Sequence, residues 1–308
     1  MICKCLIRLV LAVMLSMSYG VASAEEVKPT EKIIKVFVSI DPVAYFVKRV
    51  AGPLADVNVL IGSGQDPHTF EPTPKLIAKL ADAQVLFKIG FPFEEALIKK
   101  AGSTFKDLKV VDLQKGIKMR PIAGAHKGHG HERHGHGHSH DVDGLDPHTW
   151  LNPLLARVQA ATIATTLIQI DPSHRAMYEE NLKKFEADLD NINAELMNSL
   201  APVRGKKFFV FHPAFGYFAD AYGLKQVPVE VEGKEPTARQ LTRLIEDAKA
   251  QGVKVIFAEP QFPQKAARTL SESIGGVVVL IDNLSPDYLN NLREIATSVG
   301  SALRGQAK

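Results

Sequence analysis

DPSHRAMYEENLKKFEADLDNINAELMNSLAP, residues 171–202, sets how the rest of the chain is organised. Tyr178, Leu182, Phe185, Leu189, Ile192, Leu196 and Leu200 recur at helical spacing, Asp171 and Pro172 supply an N-cap and a first helical residue, and Pro202 ends the run. A helix of roughly 28 residues rises about 42 Å at 1.5 Å per residue, enough to run the height of two lobes. The stripe covers about three to four heptads, so a coiled-coil dimer is the competing reading and an intramolecular strut the preferred one.

On both sides of this helix, short apolar runs alternate with helical segments. The first half gives strands at Ile34 to Ile40, Val57 to Ile61 and Val85 to Ile89, with helices from about Val43 and from Pro74. The second gives Lys207 to Phe211, Gln226 to Val231, Val253 to Ala258 and Val277 to Ile281, with helices through Tyr222 and from Ala238. That rhythm belongs to parallel sheets covered by helices. The expected fold is therefore α/β, with two similar parallel-sheet lobes joined by one long backbone helix. Its expected divisions are a leader at 1–24, a first lobe at 25–171, the linking helix at 172–202 and a second lobe at 203–308.

The leader reads as a secretory signal. Lys4 and Arg8 precede the apolar core Leu9 to Met17, which is too short to span a membrane, and Ala22-Ser23-Ala24 has the small-x-small pattern of a cleavage site. Cleavage near Ala24 leaves a soluble exported chain, expected in the periplasm. Both cysteines, Cys3 and Cys5, leave with the leader, so the mature chain has no thiolate for a disulfide, a zinc site or a nucleophile. Any metal must be held by nitrogen and oxygen. The 37 Lys plus Arg against 34 Asp plus Glu fall to 35 against 34 once Lys4 and Arg8 are removed, a net charge of +1. That near balance argues against nucleic acid as a partner, which usually demands a basic excess or patch.

Residues 124–143 break the α/β pattern with His, Gly and charge and almost no apolar side chain, and read as a mobile loop. His126, His129, His131, His134, His136, His138 and His140 are seven of the eleven histidines. Imidazoles interleaved with glycine suit weak, adaptable binding of zinc, copper or nickel. The other four are His68, His148, His174 and His212. His174 falls in the first turn of the long helix and reads as surface. His68 follows the strand Val57 to Ile61, His212 follows Phe211, and Asp282 follows Ile281, so each sits at the carboxyl edge of a sheet, where open α/β folds bind ligands. His148 lies just after the His-rich loop. Separations of 64 to 80 residues match no local zinc motif, so placement rather than spacing makes His68, His148, His212 and Asp282 candidates. Glu259, also at a strand end, and Glu71 are reserve acids.

Three blocks carry a resemblance: Gln65-Asp66-Pro67-His68-Thr69-Phe70-Glu71-Pro72-Thr73-Pro74, Asp146-Pro147-His148-Thr149-Trp150-Leu151-Asn152-Pro153, and Phe211-His212-Pro213-Ala214-Phe215-Gly216-Tyr217-Phe218. With Glu235-Pro236-Thr237, Phe257-Ala258-Glu259-Pro260-Gln261-Phe262 and Ile281-Asp282 in the expected order, residues 33 to 300 resemble the zinc- and manganese-binding receptors of ABC importers, the TroA-like or ZnuA-like family. The chain departs from the family pattern at Pro213 and after Asp282, where Asn283-Leu284 replaces a glycine-rich continuation. The resemblance implies a metal held in the cleft by His68 and His148 from the first lobe and His212 and Asp282 from the second. The third of these positions is often glutamate in manganese receptors and histidine in zinc receptors. Three imidazoles and one carboxylate favour Zn2+. The His-rich loop is likewise typical of the zinc branch.

The expected function is a zinc receptor, monomeric and not an enzyme, that hands its ion to the permease of an ABC importer in the inner membrane. Manganese or iron cargo on the same fold, and a secreted zinc hydrolase, are the alternatives. The hydrolase lacks a His-Glu-x-x-His helix or an activated nucleophile. Because imidazole binds metal only when neutral, affinity should fall below about pH 6.5.

Overall fold

Val85, Leu86 and Phe87 are all fully buried, which a strand tolerates only when both faces of its sheet are covered. They lie on β3 of a computed structural model that describes residues 33–62, 64–101, 105, 107–123, 144–231 and 234–305. The expected leader at 1–24, with the expected cleavage site and both cysteines, and the seven-histidine segment 124–143 lie outside the described residues.

The first lobe runs β1 (Ile34–Val38), α1 (Asp41–Ala51), β2 (Ala55–Val59), α2 (Pro74–Leu80), β3 (Val85–Lys88), α3 (Pro92–Ala101) and β4 (Lys109–Asp112). Its sheet has the order β2-β1-β3-β4 with every pairing parallel. The helices α4 (Pro153–Ile170) and α5 (Arg175–Leu200) follow. The second lobe repeats the scheme with β5 (Lys207–Val210), α6 (Gly216–Tyr222), β6 (Lys225–Pro228), α7 (Ala238–Ala250), β7 (Val255–Ala258), α8 (Lys265–Ser273) and β8 (Val277–Leu280), before α9 (Tyr288–Gly305). Its order, β6-β5-β7-β8, is again parallel throughout. The two-lobed α/β expectation holds.

Local signals explain where helices begin. Thr73 and Asn152 accept the N–H of Leu76 and Leu154 at the starts of α2 and α4, and Thr237 forms a reciprocal capping box with Gln240 on α7. Asp171 behaves differently from its expected N-cap role. It ends α4, Pro172–His174 forms a 3-10 turn, and the Asp171 carboxylate accepts from Ser173 Oγ, His174 Nδ1 at 2.6 Å and Tyr178 OH at 2.9 Å rather than from a backbone N–H. Side-chain donors thus fix the corner between α4 and α5.

The stripe on α5 faces inward: Tyr178, Phe185, Leu189, Ile192, Leu196 and Leu200 are buried in a hydrophobic core that runs without a break from Ile34 to Leu303. This is the intramolecular strut. Asn181 Nδ2 donates to Val50 O on α1 and Arg49 pairs with Asp188, while at the far end Tyr222 OH of α6 reaches Asn193 and Arg293 of α9 pairs with Glu195. The strut has company that the sequence reading did not assign, since α9 buries Tyr288, Leu292, Ile295, Val299 and Leu303 in the same core. A separate cluster fills the other face of the second sheet, where Phe209, Phe211, Val229, Ile256 and Leu270 meet.

Candidate metal centre

Asp-Pro-His-Thr occurs twice, at 66–69 and 146–149, and each copy folds the same way locally. The Asp carboxylate accepts the N–H two residues on, Asp66 from His68 at 2.9 Å and Asp146 from His148 at 3.0 Å, which is the Asx-turn geometry aspartate favours. The first copy lies on the loop from β2 to α2, the second at the entry to α4, and His212 lies just past β5. These three segments converge: one ligand nitrogen each from His68, His148 and His212 lies within 4.8 Å of the others.

The rings are aimed. Asp146 Oδ1 lies 2.7 Å from His148 Nδ1, and Glu230 Oε1 lies 2.8 Å from His212 Nδ1. A carboxylate at Nδ1 selects the tautomer that donates there, leaving the Nε2 lone pair pointing inward, the arrangement that orients metal-binding imidazoles. The two Nε2 atoms then face each other at 3.2 Å. With both Nδ1 protons committed to carboxylates, two lone pairs repel at that distance unless a cation lies between them. Two nitrogens about 2.0 to 2.1 Å from one tetrahedral zinc are separated by about 3.3 Å, so the observed spacing fits that ion. His68 Nε2 is buried without a hydrogen-bond partner, a third donor needing the same answer.

Aromatic rings flank the cluster. Phe262 stacks on His212 at 4.6 Å between centroids, Phe91 meets His68 edge-on at 5.4 Å, and Trp150 lies 5.2 Å from His148. Burial, followed by the nearby His212 and His148 rings, pushes His68 down to about 2, and burial with His212 takes His148 well below the ordinary imidazole range. Both stay neutral, the form that binds metal, at pH values below the threshold of about 6.5 expected of free imidazole. Burial also raises Asp146 to about 7.

The acids fall outside the cluster of three. Asp282 sits just past β8, half-buried, and its Oδ1 accepts the N–H of Leu284 at 2.8 Å. Glu259 is fully buried beneath His212, accepting that residue's N–H at 3.3 Å, and burial holds its carboxyl well above the usual range. Glu71 is exposed and lines, with His68, Phe70 and Phe93, a cavity of about 420 Å³. His174 is engaged with Asp171, away from the cluster. Sequence reasoning gave no role to Asp146 and missed Glu230 entirely. A signal existed: Glu230 lies two residues past β6, as His212 lies two past β5, at the same edge of the same sheet.

Both lobes grip the site. Trp150 Nε1 donates to Asn283 O at 2.8 Å, Tyr288 OH donates to Trp150 O at 2.5 Å, and Tyr217 OH donates to Asp146 O at 3.1 Å.

Known proteins share this architecture. Residues 36–302 match the family described as zinc-uptake complex component A, periplasmic. The chain is 35% identical over 255 residues to the high-affinity zinc uptake system protein ZnuA of Bacillus subtilis (strain 168), covering 82% of this chain and 78% of the relative. A crystal structure of ZnuA superimposes with a TM-score of 0.79 at 36% identity, over 88% of this chain and 99% of that one. A ZnuA deletion mutant with zinc bound gives 0.78 at 37% identity, over 88% of this chain and 98% of that one. Three mutually aimed imidazoles between two parallel-sheet lobes are thus found on a chain that belongs to the periplasmic component A family of zinc-uptake complexes, zinc-binding receptors of ABC importers and not enzymes.

Proposed function

We propose that His68, His148 and His212 form the tight transport site for Zn2+, and that Asp282 supplies the fourth contact from the second lobe. The observation that carries this reading is the 3.2 Å approach of two Nε2 atoms whose Nδ1 positions both face carboxylates. Three imidazoles select a borderline ion over the harder manganese. Asp282 joins by giving up its bond to Leu284 N, a change confined to one side chain, and its contribution is the smaller one.

The receptor works in the periplasm as a monomer after cleavage near Ala24. Among the described residues no helix is long and apolar enough to cross a membrane. The loaded receptor docks on the importer's permease, and transport empties the site; no bond of a substrate is broken. The seven histidines of residues 124–143 act as a looser accessory site that concentrates zinc for the receptor.

Deleting residues 124–143 and titrating zinc against a chromophoric chelator tests the division of labour. One tight site remains and the weaker binding disappears. Loss of the tight site on deletion overturns the assignment. Competition with manganese on the same protein leaves zinc bound, and displacement by equimolar manganese contradicts the choice of cargo.

A further inference from the structure

Asp146 has two oxygens, and only one is explained by the site. Oδ1 orients His148, while Oδ2 is buried with no hydrogen-bond partner. Arg120 Nη1 is likewise buried without a hydrogen bond, 3.3 Å from Asp220 Oδ2 on α6. A Cβ on Gly216 would lie 2.2 Å from Arg120 Nη1 and 2.6 Å from Asp146 Oδ2, closer than real Cβ atoms approach anything. Gly216 therefore lies in the gap between the guanidinium and the carboxylate, which sit near each other without a direct hydrogen bond or ion pair.

The backbone around this pair is held as firmly as the charges. Asp146 N donates to Arg120 O at 2.9 Å, Ile122 N donates to Gly144 O at 2.8 Å, and Pro121 and Leu145 form an antiparallel bridge. Residues 120–122 and 144–146 are thus one two-stranded stem leading into His148. Tyr217 of the second lobe pins that stem: its hydroxyl accepts from Arg120 N at 3.1 Å and donates to Asp146 O at 3.1 Å, and its ring lies 5.8 Å from the guanidinium carbon. Gly216, Tyr217 and Asp220, which meet Arg120 from the second lobe, all lie on α6.

We propose that Arg120 is a positioning residue for His148: seated on Tyr217, Gly216 and Asp220 of the second lobe, it sets Asp146, and through Asp146 the ring that binds the ion. The consequence is that His148, a first-lobe ligand, is aimed by second-lobe residues, so its metal-binding orientation belongs to the assembled pair of lobes. The inference rests on the three-histidine reading above. A guanidinium near a carboxylate attracts it electrostatically in a low-dielectric setting, and partners one step removed from a metal are worth about 10- to 100-fold in affinity.

The test uses the full exported chain with zinc alone as the probe, in competition with a chromophoric chelator. Arg120→Ala weakens zinc about tenfold, and Arg120→Lys recovers most of that loss. Gly216→Ala, whose Cβ would crowd both the guanidinium and Asp146 Oδ2, weakens zinc at least as much as Arg120→Ala. Asp146→Asn weakens zinc as well, and adding Arg120→Ala to it costs less than about twofold more, because the two act through one path. Cobalt substituted for zinc shows a changed d–d spectrum in Arg120→Ala, which a loss of global stability alone does not produce. Zinc affinity within about twofold of the parent in Arg120→Ala, or full additivity with Asp146→Asn, overturns the proposal. Unchanged affinity in His148→Ala overturns the three-histidine reading instead, so the two failures are separable.

Discussion

The two copies of Asp-Pro-His-Thr share four residues and one turn, yet do different work. In the first, Asp66 serves its own loop: Oδ1 takes the N–H of His68 and Oδ2 takes the hydroxyl of Thr69 at 2.9 Å. Thr69 is exposed and His68 only half-buried. In the second, His148 and Thr149 are buried, Asp146 Oδ1 serves both the backbone and the imidazole of His148, and Gln159 Nε2 donates to the Thr149 hydroxyl oxygen at 2.8 Å. One tetrapeptide therefore fixes the turn in both places, while the packing around it decides whether the carboxylate braces a ring. The first copy places His68 on a loop beside a cavity. The second holds His148 between the lobes.

That difference ranks the expected effects of substitution. His148→Ala removes the most constrained ligand and weakens zinc by more than about 100-fold, beyond the range for groups one step away from the metal, as read by chelator competition. Equal or smaller loss than at Asp146 would break the ranking. Asp146→Asn keeps the turn but loses the charge that holds His148 Nδ1, and costs about 10- to 100-fold. Asp66→Asn keeps an acceptor for His68 N and touches no ring, so affinity stays within about threefold, the worth of one ordinary hydrogen bond. Identical losses in the two variants would show that the copies are equivalent after all.

The smallest effect concerns the wall behind His68. Glu94 is buried and accepts the N–H groups of Ile89, Gly90 and Phe91 and the hydroxyl of Ser39, holding the Phe91 ring in place. Burial pushes it from 4.5 up to about 7, against the pull of the Ser39, Ile89 and Gly90 bonds. Between those values the folded protein holds a proton that the unfolded chain has released, so stability falls as pH rises through that window. Thermal unfolding of the metal-free protein between pH 5 and pH 8, where His68 and His148 contribute in the opposite sense, should show the Glu94 share as a drop in midpoint that is smaller in Glu94→Gln. An equal drop in both proteins removes Glu94 as the cause.

Much of this was legible in the chain because it depends on periodicity and on where strands end. Val85 to Phe87 and Phe208 to Phe211 are apolar throughout, as covered parallel strands must be, His212 comes just past its strand, and His68 lies on the loop that leaves one. The α5 stripe announced a helix shared by both lobes. Pairings set by tertiary placement were not legible. Nothing local distinguishes Asp146 from Asp66, and Glu230 acquires its role only because β6 lies beside β5 and brings it against His212. The α9 helix, whose apolar positions read like any amphipathic segment, turned the single strut into part of a broader helical core. Asp171 looked like a cap because Asp-Pro begins many helices, but three side-chain donors claim its carboxylate.

The central claim is that one ion sits among three Nε2 atoms contributed by both lobes. A crystal structure of the zinc-loaded chain, with anomalous scattering recorded at the zinc edge, tests it directly. The account predicts a single strong cleft peak about 2.0 to 2.1 Å from Nε2 of His68, His148 and His212. A zinc peak that omits any of these histidines, or that lies on Asp282 and Glu259 alone, contradicts it.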